Sequence, residues 1–194
     1  VTGGGDLSPG NNFTSATAEI APVTYTVYPP PPNGIRPTTI VTGPDGNLWY
    51  TQEGPAPAAI GRLTPAGVVT LFPAPNTEGG IVVGPDGNLW FSEYRSTNIG
   101  RITPSGVITE FPSGTGPNSD ITLGPDGALW YVGGNSFVGR MTTLGSVTTF
   151  PVSGDKYRIV TGPDGNLWFT RSTTSTIGRM APSGAFTPFA TPTP

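Results

Sequence analysis

The sequence predicts an all-β protein, and within that class a β-propeller built of four-stranded antiparallel blades. The first supporting observation is the composition: 29 glycines, 24 prolines and only 11% charged residues are typical of strands joined by many turns. The second is a nine-residue segment, beginning Gly-Pro-Asp-Gly, that occurs four times. The third is that all four tryptophans recur at intervals of about 40 residues, the length of a propeller blade. They are Trp49, Trp90, Trp130 and Trp168.

Each repeat contains four short strand-like segments separated by turn signals. In the first repeat we expect strands at 39–41, 47–51, 60–63 and 68–72. Pro-Asp-Gly separates the first two strands and is turn chemistry, because proline presets φ, aspartate caps the turn and glycine accepts a positive φ. Thr-Pro-Ala-Gly separates the last two. The second strand is apolar on both faces, which indicates a sheet sandwiched between other sheets.

Two further sequence features recur at nearly the same interval as the tryptophans. An Ile/Val-Gly-Arg segment supplies one arginine to each repeat, and an aromatic residue closes it. We expect the tryptophans and arginines to be scaffold, because every blade must make the same turn and bury the same tryptophan against its neighbour. The arginines are Arg62, Arg101, Arg140 and Arg179, and the closing aromatics are Phe72, Phe111, Phe150 and Phe189. The predicted repeats are 38–79, 80–119, 120–157 and 158–194.

The Asp-Gly turns and the arginines each allow a functional interpretation. The turns could be calcium loops or carry a catalytic aspartate, but a calcium loop needs several oxygen ligands in one short stretch and each copy has a single acid. A hairpin turn is therefore favoured. A lone arginine could hold an anionic ligand, whereas four in register favour anchoring of carbonyl groups or pairing with the turn aspartates. Those aspartates are Asp45, Asp86, Asp126 and Asp164.

The N-terminal region predicts a partial blade. Residues 15–37 contain a segment that aligns with the last two strands of a full repeat, followed by a connection, and residues 1–14 resemble a flexible arm with a glycosylation sequon at Asn12. The total is four full blades plus a partial N-terminal blade. Three outcomes are open: a fragment of a larger propeller, a closed four-bladed ring, or separate chains that complete each other. Because unpaired strand edges attract partners, we expect an oligomer in which residues 15–28 pair with another subunit.

If the repeated positions are scaffold, function is expected where the repeats differ. The second-to-third-strand loops and the connections between blades differ most, and they share one face of a propeller, here called the loop face. Loops on a rigid scaffold commonly carry binding sites. We predict a binding surface there for a carbohydrate or peptide, and assign no catalytic residue, metal or other cofactor. The candidates are Glu53, Glu93, Tyr94, Arg95, Lys156, Tyr157, Arg158 and Arg171.

The phrases Gly-Pro-Asp-Gly-Asn-Leu-Trp-Phe-Thr and Ile-Gly-Arg-Ile-Thr-Pro-Ser-Gly-Val-Ile-Thr-Glu-Phe-Pro resemble the repeat of the virginiamycin B lyase family. The resemblance covers residues 39–194 and, more weakly, 15–28. It implies a propeller, seven-bladed in the family's enzymes, which open the ester ring of streptogramin B antibiotics by elimination using magnesium and catalytic histidine and glutamate residues. This chain has no histidine, so that role has no occupant. The resemblance therefore implies the fold and argues against the reaction.

The remaining composition narrows the class of protein. The net charge of −3 and the lack of a basic run give no reason to expect nucleic acid, and no apolar run approaches the roughly 20 residues of a membrane helix. Low charge and richness in Thr, Gly and Pro favour an exported protein, extracellular or at the cell surface. We expect a non-catalytic binding or self-assembling structural module, an oligomer or filament subunit completed by copies of itself or another protein. The alternative is a fragment or diverged member of the streptogramin B lyase-type enzymes.

Overall fold

The computed structural model describes residues 36–53, 58–114, 116, 118–134 and 136–192, and these form sixteen β-strands. The strands build four four-stranded antiparallel sheets, each with its strands in chain order, which confirms the predicted all-β class and the four-stranded blades. None of the described residues belongs to a helix that could cross a membrane. In chain order the strands are β1 Arg36–Thr42, β2 Leu48–Glu53, β3 Ala59–Leu63, β4 Val69–Pro73, β5 Ile81–Val83, β6 Leu89–Ser92, β7 Asn98–Ile102, β8 Ile108–Pro112, β9 Asn118–Leu123, β10 Leu129–Gly133, β11 Phe137–Met141, β12 Val147–Pro151, β13 Lys156–Thr161, β14 Leu167–Arg171, β15 Thr176–Met180 and β16 Phe186–Ala190.

The innermost strands extend further toward the loop face than the repeat predicts. β1, β9 and β13 begin at Arg36, Asn118 and Lys156, each two residues before the predicted start of its repeat. In all three blades the pairing of the first and second strands shifts register near this end. Such a bulge lets main-chain pairing continue past the apolar segment while the strand bends. The predicted arm (1–14), with its sequon, and the predicted partial blade up to residue 35 lie outside the described residues.

Each Gly-Pro-Asp-Gly turn is closed by the same hydrogen bonds. In the second blade the Gly84 amide donates to the Asn88 carbonyl at 2.8 Å, and the Gly87 amide donates to the Gly84 carbonyl at 3.2 Å. Gly87 has a φ of 72°, a conformation that favours glycine. The Trp90 indole Nε1 donates to Asp86 Oδ1 at 3.0 Å. The same indole bond, at 2.9 Å, occurs in the other three blades, so every turn holds the tryptophan that follows it.

A stack of three side chains lies behind these turns. In the second blade the Trp90 and Phe111 ring centroids are 5.1 Å apart, and the Arg101 guanidinium lies 5.6 Å from the first centroid and 5.3 Å from the second. Arg62 in the first blade and Arg179 in the fourth lie over their tryptophan rings at 5.6 and 5.8 Å. Cation–π contacts of this kind are worth about 0.5–1 kcal/mol where they are partly exposed. We call this arrangement the blade stack.

Pairing between the arginine and the turn aspartate, one of the two roles left open for the arginines, occurs in the third blade only among the described residues. Arg140 Nε lies 2.6 Å from Asp126 Oδ2. A single residue explains the difference. In the second blade the Asn88 side-chain amide donates to Asp86 Oδ2 at 2.8 Å, and the first and fourth blades do the same. The third blade has Ala128 at this position, which leaves the oxygen to the arginine.

Consecutive blades pack the stack of one against the sheet of the next. Trp49 belongs to one buried cluster with Leu89 and Phe91 of the second blade. The Arg62 guanidinium donates to the Pro104 carbonyl, in the last turn of that blade, at 3.2 Å, which is the predicted anchoring of a carbonyl group. The tryptophan of each of the first three blades is thereby closed off from solvent by the blade that follows.

The last turns of the second, third and fourth blades each cover the stack of the blade before. Gly106, with a φ of 94°, lies so close to Phe72 that a Cβ atom there would be 2.2 Å from the ring. Equivalent glycines meet the phenylalanines of the second and third blades. Glycine is therefore required in this turn for two reasons: the backbone conformation has a positive φ, and the two blades approach too closely for a Cβ atom.

The stack of the fourth blade is not covered in this way by the described residues. Trp49, Trp90 and Trp130 are 0% exposed, as predicted, but Trp168 is partly exposed and Phe189 is 41% exposed. Contacts between innermost strands run from β1 to β5, from β5 to β9 and from β9 to β13. A closed four-bladed ring would place the first blade over the stack of the fourth. The four described blades therefore form an open series.

Candidate functional site

The loop face contains a cleft made of two adjoining cavities, which we call the loop-face cleft. One cavity has a volume of about 240 Å³ and the other of about 290 Å³. The first is lined by Tyr94, Ser119, Gly134, Asp155, Lys156 and Tyr157, and the second by Glu53, Glu78, Tyr94, Ser119, Tyr157 and Arg158. Five of the eight predicted binding residues line this cleft: Glu53, Tyr94, Lys156, Tyr157 and Arg158. Residues far apart in sequence meet there because the innermost strands and the loops end at the same face.

Two tyrosines give the cleft an aromatic surface. Tyr94 and Tyr157 line both cavities and are 45% and 49% exposed. The Tyr94 amide donates to the Asn76 carbonyl at 3.0 Å, which ties its loop to the preceding connection between blades. Tyr157 lies within the register shift of β13. Exposed tyrosine rings beside polar groups suit a ligand that has both an apolar face and hydroxyl groups.

The two glutamates of the cleft are each paired with an arginine. Glu53 Oε1 lies 2.9 Å from Arg36 Nη2, and Glu78 Oε2 lies 3.2 Å from Arg95 Nε. The arginines are the exposed partners, with side chains 78% and 70% exposed, whereas the Glu78 side chain is only 12% exposed. The negative charge at this end of the cleft is therefore largely compensated locally.

Asp120 joins the third blade to the fourth beneath the cleft. Its Oδ2 accepts a hydrogen bond from the Ile159 amide at 3.0 Å, and its Oδ1 lies 3.9 Å from Arg158 Nη1. Burial raises the pKa of Asp120, although backbone hydrogen bonds and the Arg158 charge act in the opposite direction. The contact fixes the start of β13 and holds Arg158 at the wall of the second cavity.

Lys156 is the one lysine in the sequence. It is 2% exposed, lines the first cavity, and donates from Nζ to the Gly154 carbonyl at 2.7 Å. Burial, with a further contribution from the Arg171 guanidinium, lowers the pKa of Lys156 to about 8, although Asp155 opposes the shift. Near pH 8 a large fraction of this amine is therefore unprotonated.

Three of the predicted binding residues are not among those that line the cleft. Glu93 is 2% exposed, accepts a hydrogen bond from the Ser96 hydroxyl at 2.5 Å, and has a pKa raised by burial. Arg171 is 8% exposed and donates to the Ser153 carbonyl at 2.8 Å. Arg95 is exposed and paired as described above. Glu93 and Arg171 are turned inward, where they bind other loop residues.

Sequence reasoning missed Ser119, which lines both cavities. Its hydroxyl donates to the Lys156 carbonyl at 2.9 Å and so connects the third and fourth blades. Ser119 stands two residues before Ile121, at the repeat position that Tyr157 occupies in the fourth blade. This position differs in every blade while the isoleucine does not, so an alignment of the innermost strands contains the signal that identifies it.

The cleft does not fit the magnesium-dependent chemistry that the sequence resemblance implies. The chain has no histidine. Within the residues that the structure describes, no three histidine, cysteine, aspartate or glutamate residues lie where they could hold a metal ion together. Glu53 and Glu78 already face arginines, which oppose the binding of a cation. These residues therefore do not form a magnesium site.

Comparison with solved structures finds the same architecture in known enzymes. Selenomethionine-substituted virginiamycin B lyase from Staphylococcus aureus is 36% identical, with a TM-score of 0.73, and the match covers 80% of this chain and 55% of that one. A catalytically inactive His-to-Ala variant of that lyase, with Quinupristin, is 35% identical, with a TM-score of 0.74 and coverage of 81% and 56%. A streptogramin B lyase is 31% identical, with a TM-score of 0.74 and coverage of 80% and 54%. No curated protein sequence matches the chain.

The chain spans about half the length of these structures, and the fold they share is a β-propeller. The model of the Virginiamycin B lyase family matches residues 15–194, which include the region predicted as a partial blade. The fourfold Gly-Pro-Asp-Gly repeat, the four-stranded blades and the likeness to the lyases agree, and together they show that this chain belongs to the virginiamycin B lyase family.

Proposed function

We propose that the chain is an exported, non-catalytic member of the family that binds a neutral carbohydrate in the loop-face cleft. The observation that carries the proposal is the pair of half-exposed tyrosines, Tyr94 and Tyr157, which line the second cavity together with charged side chains that are each paired with an opposite charge. A sugar ring offers an apolar face to an aromatic ring and hydroxyl groups to its neighbours. The second cavity of the cleft, at about 290 Å³, has the size of a small-ligand site rather than of a protein interface.

Support for a non-catalytic role comes from the chemistry that the chain lacks. Replacing one histidine by alanine is the change in the catalytically inactive S. aureus lyase, and the present chain has no histidine at all. Histidine is the one side chain whose unperturbed pKa suits proton transfer near neutral pH. The alternative function, a fragment or diverged member of the streptogramin B lyase-type enzymes, is favoured by the identity of 31–36% to the solved lyases.

Titration calorimetry tests the binding proposal. We expect saturable binding of one or more neutral oligosaccharides from a panel, and a loss of about tenfold in affinity for Tyr157→Ala, corresponding to about 1.4 kcal/mol. Leu144→Ala is the matched control, because Leu144 is 89% exposed in a third-to-fourth-strand turn, on the opposite face. Binding of peptides but not oligosaccharides contradicts the ligand class. Ring opening of a streptogramin B antibiotic by the chain contradicts the non-catalytic role.

A second candidate function is self-assembly, supported by the stack of the fourth blade, which the described residues leave partly exposed. The stacks of the first three blades each pack on the next blade, against the leucine and the aromatic residue that flank its tryptophan. In the second blade these two residues are Leu89 and Phe91, which lie in one buried cluster with Trp49. In the first blade the equivalent residues are Leu48, 38% exposed, and Tyr50. We propose that a second copy of the chain packs its first blade on the Trp168 face, in the head-to-tail manner that yields rings or filaments.

The mass of the chain in solution tests self-assembly. We expect oligomers at micromolar concentration, and their dissociation in Trp168→Glu, which introduces a charge into the contact, but not in Trp168→Phe. A monomeric wild-type chain contradicts the proposal. Deletion of residues 1–28 separates this contact from the predicted pairing of residues 15–28 with another subunit, since only the latter pairing is removed by the truncation.

Export is supported by the low content of charged residues, 11% of the chain, and by its richness in threonine, glycine and proline. Fractionation of the native host tests this part of the proposal. We expect the protein in the culture medium or at the cell surface, and its recovery only from the cell interior contradicts export.

A further inference from the structure

The first cavity of the loop-face cleft contains an amine in an unusual setting. Lys156 is almost fully buried, yet it lines a cavity of about 240 Å³. Among the residues that the structure describes, Nζ has one hydrogen-bond partner, the Gly154 carbonyl at 2.7 Å, and Lys156 forms no ion pair within 4.0 Å. A lysine held only for structure normally extends its charged end into water or pairs it with a carboxylate.

The surroundings disfavour the charged form of this amine. Arg171 on β14 brings a second positive charge close to it, and its own guanidinium is held in place by the Ser153 carbonyl and the Thr176 hydroxyl. Burial beside another cation is the arrangement that activates lysine as a nucleophile. The charged and titratable groups around Lys156 are Asp155 before it, Arg171 on β14, Tyr94 and Tyr157 at the cavity, and Asp120 on β9, which is paired with Arg158.

We propose that Lys156 is a carbonyl-capture site: its side-chain amine forms a reversible imine with an aldehyde or ketone that enters the first cavity. The neutral amine adds to the carbonyl carbon, a C–N bond forms, and the carbonyl oxygen takes a proton to become a hydroxyl group. Loss of that hydroxyl group as water, with the nitrogen proton, leaves the C=N bond. Nothing is oxidised or reduced. The step adds covalent capture to the proposed binding function and does not depend on carbohydrate being the ligand.

Imine trapping tests the inference directly. The full chain is mixed with propanal at stepped pH, the imine is reduced with sodium borohydride, and the modified peptide is identified by mass spectrometry. Because the sequence has a single lysine, a modified side chain in the peptide that contains residue 156 can only be Lys156. Arg95→Lys supplies a matched reference, since the Arg95 side chain is 70% exposed on the same face.

We expect Lys156 to be trapped at least about tenfold faster at pH 8 than the amine introduced by Arg95→Lys, because an exposed lysine, with a pKa of about 10.4, is almost entirely protonated at that pH. The rate at Lys156 should reach its half-maximum near pH 8. Arg171→Gln should move that midpoint to higher pH, because a neighbouring positive charge is removed, and Lys156→Arg should abolish trapping at this peptide. Trapping at Lys156 that is absent, or no faster than at the introduced amine, overturns the inference. Carbohydrate binding can fail while trapping succeeds, so the two proposals are tested separately.

Discussion

The second and fourth blades have nearly the same sequence at the repeated positions but differ in the solvent exposure of their aromatic side chains. Both contain the blade stack, with ring centroids 5.1 Å apart for Trp90 and Phe111 and 5.4 Å apart for Trp168 and Phe189. Trp90 is fully buried, whereas Trp168 is partly exposed and Phe189 is 41% exposed. The stack is thus assembled within one blade, while its burial is supplied by the next. Geometry is local in this fold, and much of the stability comes from the neighbour.

The largest expected effect is the loss of stability when the tryptophan of each blade is removed. Trp90→Ala should lower the free energy of unfolding by about 3–5 kcal/mol, because it removes a fully buried aromatic ring. Trp168→Ala should cost about half as much, because part of the ring surface is already in contact with water. Urea unfolding of both variants, at concentrations where the chain is monomeric, measures the difference. Equal losses would show that the fourth stack is as well covered as the second.

The glycine that lies against the aromatic ring of the second strand should have the same importance in the second and fourth blades. A Cβ atom at Gly100 would lie 2.1 Å from the Phe91 ring, and one at Gly178 would lie 2.4 Å from the Phe169 ring. Both contacts are made inside one blade. Gly100→Ala and Gly178→Ala should therefore destabilise by similar amounts, about 1–3 kcal/mol each, the usual range for overpacking. Calorimetric melting of the pair measures this, and a much smaller loss for Gly178→Ala contradicts the view that geometry is local.

The turn aspartates should make both blades sensitive to acid. Burial raises the pKa of Asp86, but hydrogen bonds from Asn88 and Trp90 outweigh it and lower the pKa overall, and the equivalent bonds lower the pKa of the exposed Asp164. A carboxyl group with a lower pKa in the folded state stabilises above its unfolded pKa of about 3.9, and the stabilisation is lost as the pH falls through the folded pKa.

Asp86→Asn and Asp164→Asn should therefore each flatten the loss of stability below about pH 4, because the substituted position no longer titrates. Asp86→Asn should cost about 1 kcal/mol at neutral pH through its weakened bond to the indole. Urea unfolding at stepped pH measures both quantities. An acid profile as steep as that of the wild type in either variant contradicts the role assigned to these turns.

The smallest effect concerns the exceptional turn of the third blade. Ala128→Asn should restore the amide that occupies Asp126 Oδ2 in the other turns and displace Arg140 from its 2.6 Å contact. Because one partly exposed interaction replaces another, stability should change by no more than about 0.5 kcal/mol. The NMR signal of the Arg140 Nε proton reports the exchange. A signal that does not move shows that the alanine is not the cause of the ion pair.

Much of the fold was predictable because the same strand and turn signals occur four times in the sequence. Turn residues and strand order follow from local chemistry and were found where the spacing places them, and three of the four tryptophans are fully buried as expected. The sequence left open whether the arginines anchor carbonyl groups or pair with the turn aspartates, because it shows which groups are near but not which acceptor is already occupied. The contrast between Asn88 and Ala128 held that information at a single position.

The candidate site was less predictable, because side-chain direction in irregular loops is set by tertiary contacts. Tyr94 and Tyr157 were identified as loop residues and do line the cleft. Glu93 was identified in the same way, yet it turns inward to bind Ser96. The alignment of the innermost strands was the unused signal for Ser119, because the residues that begin those strands vary from blade to blade.

The turn glycine that rests on the phenylalanine of the preceding blade has a consequence for descent. Gly106 meets Phe72, and both residues recur in every unit, so each unit carries both halves of the joint that it makes with its neighbours. Duplicating or deleting one whole unit in a gene would leave every remaining joint correctly matched. The number of blades can then change in a single genetic event without any compensating substitution. The remaining requirement is geometric, because the units together must rotate far enough to bring the first unit into contact with the last.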